Sequence, residues 1–242
     1  MKKIMFNDNY GLTEAVLSGR KTMTRRLANI PKEWHGQWVG GVAPRRDFPT
    51  LFLYDGDGAL MYDHHTGECG QIIPRYKIGE LVAIAQSYST IAEDNHDWLS
   101  LRLAANERDI YDLQYRHGWR NKQGVRSYYC PHRICITNVK VERLQDISDE
   151  DCRREGIVPV TWRQYMKQDL DDLSPQKYQE HLVWTLPKFE EGILNPWAES
   201  EPNEYMAESP QIAFAVLIFK LMGREVWDDN PYVFAYEFEL VK

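Results

Sequence analysis

Residues 19–26 read Gly19-Arg20-Lys21-Thr22-Met23-Thr24-Arg25-Arg26, which sets an amine, two hydroxyls and three guanidinium groups on one short stretch. Such a stretch is built to hold an anion or a polar base. Leu12 to Ser18 ahead of it carries a helical pattern, and Gly19 stands where a helix stops and the chain needs positive φ. Working outward, Ile4 to Phe6 is predicted to open as a strand, with a helix over Tyr10 to Ser18. A plainer reading makes the stretch a strand edge whose arginines pair with carboxylates in ordinary surface salt bridges. In an extended strand Lys21 and Thr24 face opposite sides, so they converge only where the chain bends.

Downstream, Leu51–Tyr54 and Ala59–Tyr62 flank Asp55-Gly56-Asp57-Gly58, the chemistry of a tight hairpin turn rather than a calcium loop, whose further acidic ligands are missing. Leu81 to Ala85 reads as a buried strand, and Trp98 to Asn121 as a helix plus an irregular loop. Arg133 to Leu144 alternates as a long strand with an irregularity near Asn138. Ser148 caps a short helix over Asp149 to Glu155 that stops at Gly156. Glu155 is thereby fixed at a helix C-terminus, where the macrodipole disfavours a carboxylate by about 0.3–1 kcal/mol. Lys21 or Arg26 is the expected relief. Thr161 to Leu173 and Gln176 to Val183 read as helices, and Ser209-Pro210 starts another that Gly223 ends. Tyr232 to Leu240 closes a sheet.

A chain of 242 residues with 43% hydrophobic content can bury a core without disulfides or metal. Its four cysteines are scattered without disulfide-framework density and no signal-peptide pattern opens it, which fits reduced thiols in the cytoplasm. The most apolar run, Ile212 to Phe219, is too short to span a bilayer, so no membrane is implied. The net charge of -7 counts against a protein that coats itself with nucleic acid. Basic residues crowd the N-terminal part and acidic ones a later stretch. A small basic mouth on an acidic body suits a nucleoside or a short single strand. Cys130, His132 and Cys135 do not match closed zinc spacing, so no metal is expected. No P-loop, dinucleotide fingerprint, nucleophile elbow or zinc-protease motif is present, and no cofactor is implied.

Four blocks, in order, resemble the ASCH domain, a member of the PUA-like superfamily. Gly19, Lys21 and Arg26 fit its G-x-K-x-x-E-x-R signature. Thr24 stands where that signature has glutamate, as in the K-T-x-T-R-R variant of larger bacterial and phage-type members. Tyr76–Tyr88 (YKIGELVAIAQSY), Arg133–Ile157 (RICITNVKVERLQDISDEDCRREGI) and Trp227–Leu240 (WDDNPYVFAYEFEL) are similar to the family's later strands and its glutamate-ending helix. The resemblance covers about half the chain. It implies an α+β fold: a small, mixed PUA-like β-barrel with flanking helices, as a single domain with insertions at about 29–75, 90–128 and 158–208.

One branch of that family removes acetyl from N4-acetylcytidine with a lysine, a threonine and a glutamate. The resemblance thus assigns Thr24 as nucleophile, Lys21 as base and Glu155 as the group that holds Lys21 or the leaving amine. An alkyl hydroxyl needs such a base at neutral pH. Arg20, Thr22, Arg25 and Arg26 are expected to contact substrate, with Tyr88, Trp227, Asn230 and Tyr232 beside them. The alternatives are a noncatalytic RNA-binding module that stacks bases on those aromatics, and a structural or partner-binding protein using the inserted segments. Trp162, Trp184 and Trp197 are expected to form a small secondary core or a lid.

Overall fold

The computed structural model describes residues 1–45, 48–104, 109–115, 117–165, 178–189 and 206–241. In chain order the first elements are β1 (Lys3–Ile4), α1 (Leu12–Leu17), β2 (Met23–Leu27), β3 (Glu33–Trp34), β4 (Gln37–Trp38), β5 (Gly41–Pro44) and β6 (Leu51–Tyr54). They are followed by β7 (Tyr62–Asp63), β8 (Glu68–Cys69), β9 (Gln71–Ile72), β10 (Leu81–Ile84), α2 (Tyr88–Ala104), α3 (Ile110–Leu113) and β11 (Arg133–Arg143). The last are α4 (Asp149–Arg154), β12 (Val158–Tyr165), β13 (Tyr178–Thr185), α5 (Pro210–Met222), α6 (Arg224–Asp228) and β14 (Tyr232–Val241). The fold is mixed α+β.

Its centre is a five-stranded sheet in the order β1-β10-β11-β14-β2, with β1 parallel to β10 and the remaining pairs antiparallel. Among the described residues this ladder is open, with β1 and β2 as its edges. The long β11–β14 pairing sets the geometry of everything near β2. Its register shifts between Ile136 and Asn138, as the sequence predicts. The extra residue resets the alternation, so Ile134 and Ile136 before it and Val139 and Val141 after it all join one core cluster. Arg25, Ala235 and Lys140 then stand abreast on neighbouring strands.

That core gathers Ile4, Phe6, Leu12, Val82, Ile84, Phe234, Tyr236 and Phe238 with Phe214, Leu217 and Ile218 of α5. The start of α5 is fixed by the predicted cap: Ser209 accepts a hydrogen bond from the Ile212 amide, with Pro210 in the first turn. A second cluster packs α2 and α3 around Tyr88, Ile91, Leu99 and Tyr129. The segment over 29–75 builds small sheets around Val39, Leu53 and Met61. Its Asp55–Gly58 turn forms as read, with the Asp55 amide donating to the Ala59 carbonyl at 2.9 Å. Among the described residues, no helix is long and apolar enough to cross a membrane.

The helices expected over Thr161–Leu173 and Gln176–Val183 need correction. Where these segments are described they are β12 and β13, an antiparallel pair registered from Val158↔Thr185 to Tyr165↔Tyr178; residues 166–177 lie outside the described residues. Val158, Val160, Thr161, Val183 and Thr185 are β-branched residues that suit a pleated ladder, and pairing across it outweighs their weak helical spacing. Trp184 belongs to neither a lid nor a separate core: it is buried in the main cluster and bridges Ala207 through backbone hydrogen bonds. The expectations for Trp197 and for the Trp162 side chain fall outside the described residues.

Candidate active site

The turn after α1 delivers the basic stretch to the edge of the sheet. Gly19 adopts φ +76°, and the Lys21 amide donates to the Ala15 carbonyl at 2.8 Å. The chain bends before β2, so Lys21 precedes the strand, whereas Thr24 lies within it opposite Tyr236. From the other side comes α4, capped by Ser148, whose hydroxyl accepts from the Asp151 amide. Glu155 caps its C-terminus and is followed by Gly156 at φ +103°. A Cβ on Gly156 would sit 3.7 Å from the Lys21 Cβ, so this left-handed residue lies where α4 and the basic stretch meet. Gly156→Ala is expected to cost about 1–2 kcal/mol in chemical denaturation; unchanged stability would contradict a strained turn there.

Lys21 and Glu155 are both buried, at 2% and 3% exposure, so neither charge is shared with solvent. The Lys21 ammonium donates to the Glu155 carbonyl oxygen at 2.7 Å and to its carboxylate Oε2. The other carboxylate oxygen, Oε1, accepts from Arg25 Nη1 at 3.2 Å. Glu155 is thus relieved at its helix terminus by Lys21 and Arg25, whereas the sequence reading named Lys21 or Arg26. Arg25 also donates to Glu142 Oε1 from Nε at 2.8 Å and to Asp151 Oδ2 from Nη2 at 3.0 Å. It is the shared cation of three carboxylates. Lys140 adds a contact to Asp151 at 2.7 Å.

Burial pulls the Lys21 amine below the ordinary lysine range; Glu155 opposes that shift, while Arg26 and Arg25 add to it. For Asp151 burial works upward, yet Lys140 and Arg25 outweigh it and hold the carboxyl below its usual value. Burial pushes the nearby Cys152 thiol up to about 12, so it is no thiolate nucleophile.

These groups open onto a hollow of about 430 Å³. Its lining joins Lys21, Thr24, Arg25, Arg26 and Glu155 with an apolar wall from α5 and the polar residues Asn7, Asp8, Asn9 and Lys122. Arg26 donates from Nη2 to the Met5 carbonyl at 2.5 Å, while its Nε is buried and has no partner among the described residues. Such an orphan donor beside a cavity is costly unless a ligand meets it.

Five of the predicted residues therefore converge and six do not. Arg20 is exposed, with its Nε 3.1 Å from the Ser18 hydroxyl. Thr22 ties β2 to α4 and β14, its amide donating to the Arg154 carbonyl and its carbonyl accepting from the Phe238 amide. Tyr88 is buried in the second cluster against Tyr129. Trp227 packs on Phe214 and Phe219, Asn230 accepts from the Gln145 amide at 2.9 Å, and Tyr232 lies under the Arg143 guanidinium at 3.8 Å. These six stand outside the lining of the hollow, and the three aromatics among them fill packing positions. Sequence reasoning missed Lys122, Asp8 and the α5 wall. The wall alone had a signal, the spacing 214, 217, 218, 221, 222 of a helical stripe. No protein-family model matches the chain, and neither does any curated protein or solved structure.

Proposed function

We propose that the chain is an ASCH-type protein, its open sheet the counterpart of a PUA-like barrel, that hydrolyses an N-acylated nucleoside such as N4-acetylcytidine. The observation that supports this most is that Lys21 and Glu155 are hydrogen-bonded to each other and line a single hollow together with Thr24. A neutral amine has two N–H bonds. If both go to Glu155, to its carbonyl and its carboxylate, the lone pair of Lys21 is left for the remaining tetrahedral direction as a base. Thr24 Oγ1 then attacks the acyl carbonyl and its proton passes to Lys21. Arg26 Nε, a donor without a partner among the described residues, is suited to the developing oxyanion. Collapse breaks the C–N bond, Lys21 returns the proton to the departing amine, and water later cleaves the acyl-threonine ester with Lys21 again as base. Glu155 holds Lys21 throughout.

Lys21→Met, a substitution of similar length, is expected to abolish release of free nucleoside from an acylated one; unchanged turnover refutes the assignment. Because the base is the neutral amine, turnover rises with pH through the lowered Lys21 value, below the ordinary lysine range. A rate profile flat from neutral to alkaline pH would contradict a lysine base. The rival reading, noncatalytic stacking of RNA bases, has less support, since its three aromatic candidates are packed elsewhere.

A further inference from the structure

The apolar side of the hollow has no role in the chemistry above. Phe214, Leu217, Ile218, Leu221 and Met222 line it, all from one face of α5, and none carries a hydrogen-bonding group apart from the weakly accepting thioether. At 1.5 Å per residue this stripe runs about 12 Å along the helix. It begins beside Arg25, the partner of Glu155, with the Phe214 ring centre 5.8 Å from the Arg25 guanidinium carbon. It ends at Leu221 and Met222, which are half-buried. Phe6 also lines the hollow, with its ring centre 6.0 Å from Lys21 Nζ.

A nucleoside needs donors and acceptors for its sugar hydroxyls and base edge, and polar groups line the same hollow at Asn7, Asp8, Asn9 and Lys122, the last ion-paired with Asp8 at 2.9 Å. An acetyl group offers one methyl and would leave Leu221 and Met222, the half-buried end of the stripe, uncovered, whereas Phe214, Leu217 and Ile218 are already buried in the core. We infer that the α5 stripe is an acyl-chain subsite and that the preferred substrate carries an unbranched acyl group of several carbons rather than acetyl. This rests on the hydrolase reading and adds the direction of each half of the substrate: nucleoside to the polar lining, hydrocarbon along α5.

The test is a series of N4-acylcytidines, acetyl, butyryl, hexanoyl and octanoyl, compared by kcat/KM. Each methylene buried against the stripe is expected to raise kcat/KM about fourfold until the chain passes Met222. Leu221→Asn is expected to collapse the hexanoyl-to-acetyl ratio towards one. A steady fall from acetyl to octanoyl overturns the subsite and leaves the hydrolase intact. Should no member be cleaved, the hydrolase reading fails, and calorimetric affinities of the same series judge the subsite: tighter binding of hexanoyl than acetyl sustains it, and equal or weaker binding overturns it.

Discussion

Thr24→Ala is expected to lower the proposed turnover of an acylated nucleoside by about three orders of magnitude or more while leaving KM nearly unchanged. The hydroxyl is small and contributes little to ground-state binding, so its loss falls on the chemical step. Thr24 is 5% exposed and lies in a paired strand, so the variant keeps its ladder hydrogen bonds, and its unfolding free energy is expected within about 1 kcal/mol of wild type. Thr24→Ser restores a hydroxyl and is expected to recover part of the rate. Full activity in Thr24→Ala, with the fold intact, would leave Lys21 without a proton to accept.

Arg25→Met destabilises the fold by about 3–5 kcal/mol, the cost of breaking a buried ion network from one side. Arg25 is almost fully enclosed and touches Glu142, Asp151 and Glu155, so its removal leaves Glu142 short of its closest cation and Glu155 with Lys21 alone. A surface salt bridge would contribute well under 1 kcal/mol, which makes the two cases easy to separate by chemical denaturation. The pH dependence has a definite sign. Asp151 is depressed in the folded state, so its stabilisation is present above the unfolded carboxylate range and lost as pH falls through the lower folded value. The gap between wild type and Arg25→Met is therefore widest near neutrality and narrows in acid. A shift below about 0.5 kcal/mol at neutral pH would mean that the network is incidental.

Local chemistry was the most legible part of the sequence. Ser148 and Gly156 bound α4, Ser209-Pro210 starts α5 and Gly19 ends the turn after α1, because caps and left-handed positions depend on neighbours a few residues away. The shift beside Asn138 was legible too, since it interrupts an otherwise regular alternation. The β12–β13 pair was not: its residues fit either period, and the decision rests on a ladder between segments distant in sequence. At the site, Lys21, Thr24 and Glu155 were found through a resemblance, and their convergence depends on a bend that spacing alone leaves open. Adjacent arginines gave no basis for choosing Arg25 over Arg26 as the partner of Glu155. The helical stripe of α5 identified an apolar face, but which part meets a cavity depends on where Phe6, Leu12 and β2 stop short of it.

The most direct measurement is mass-spectrometric analysis of purified protein incubated with N4-acylcytidines from acetyl to hexanoyl, with Thr24→Ala and Lys21→Met in parallel. The account predicts free cytidine and the matching carboxylic acid from wild type, and intact substrate from both variants. Intact substrate with folded wild-type protein across the whole panel, or cytidine released equally by all three proteins, would contradict it.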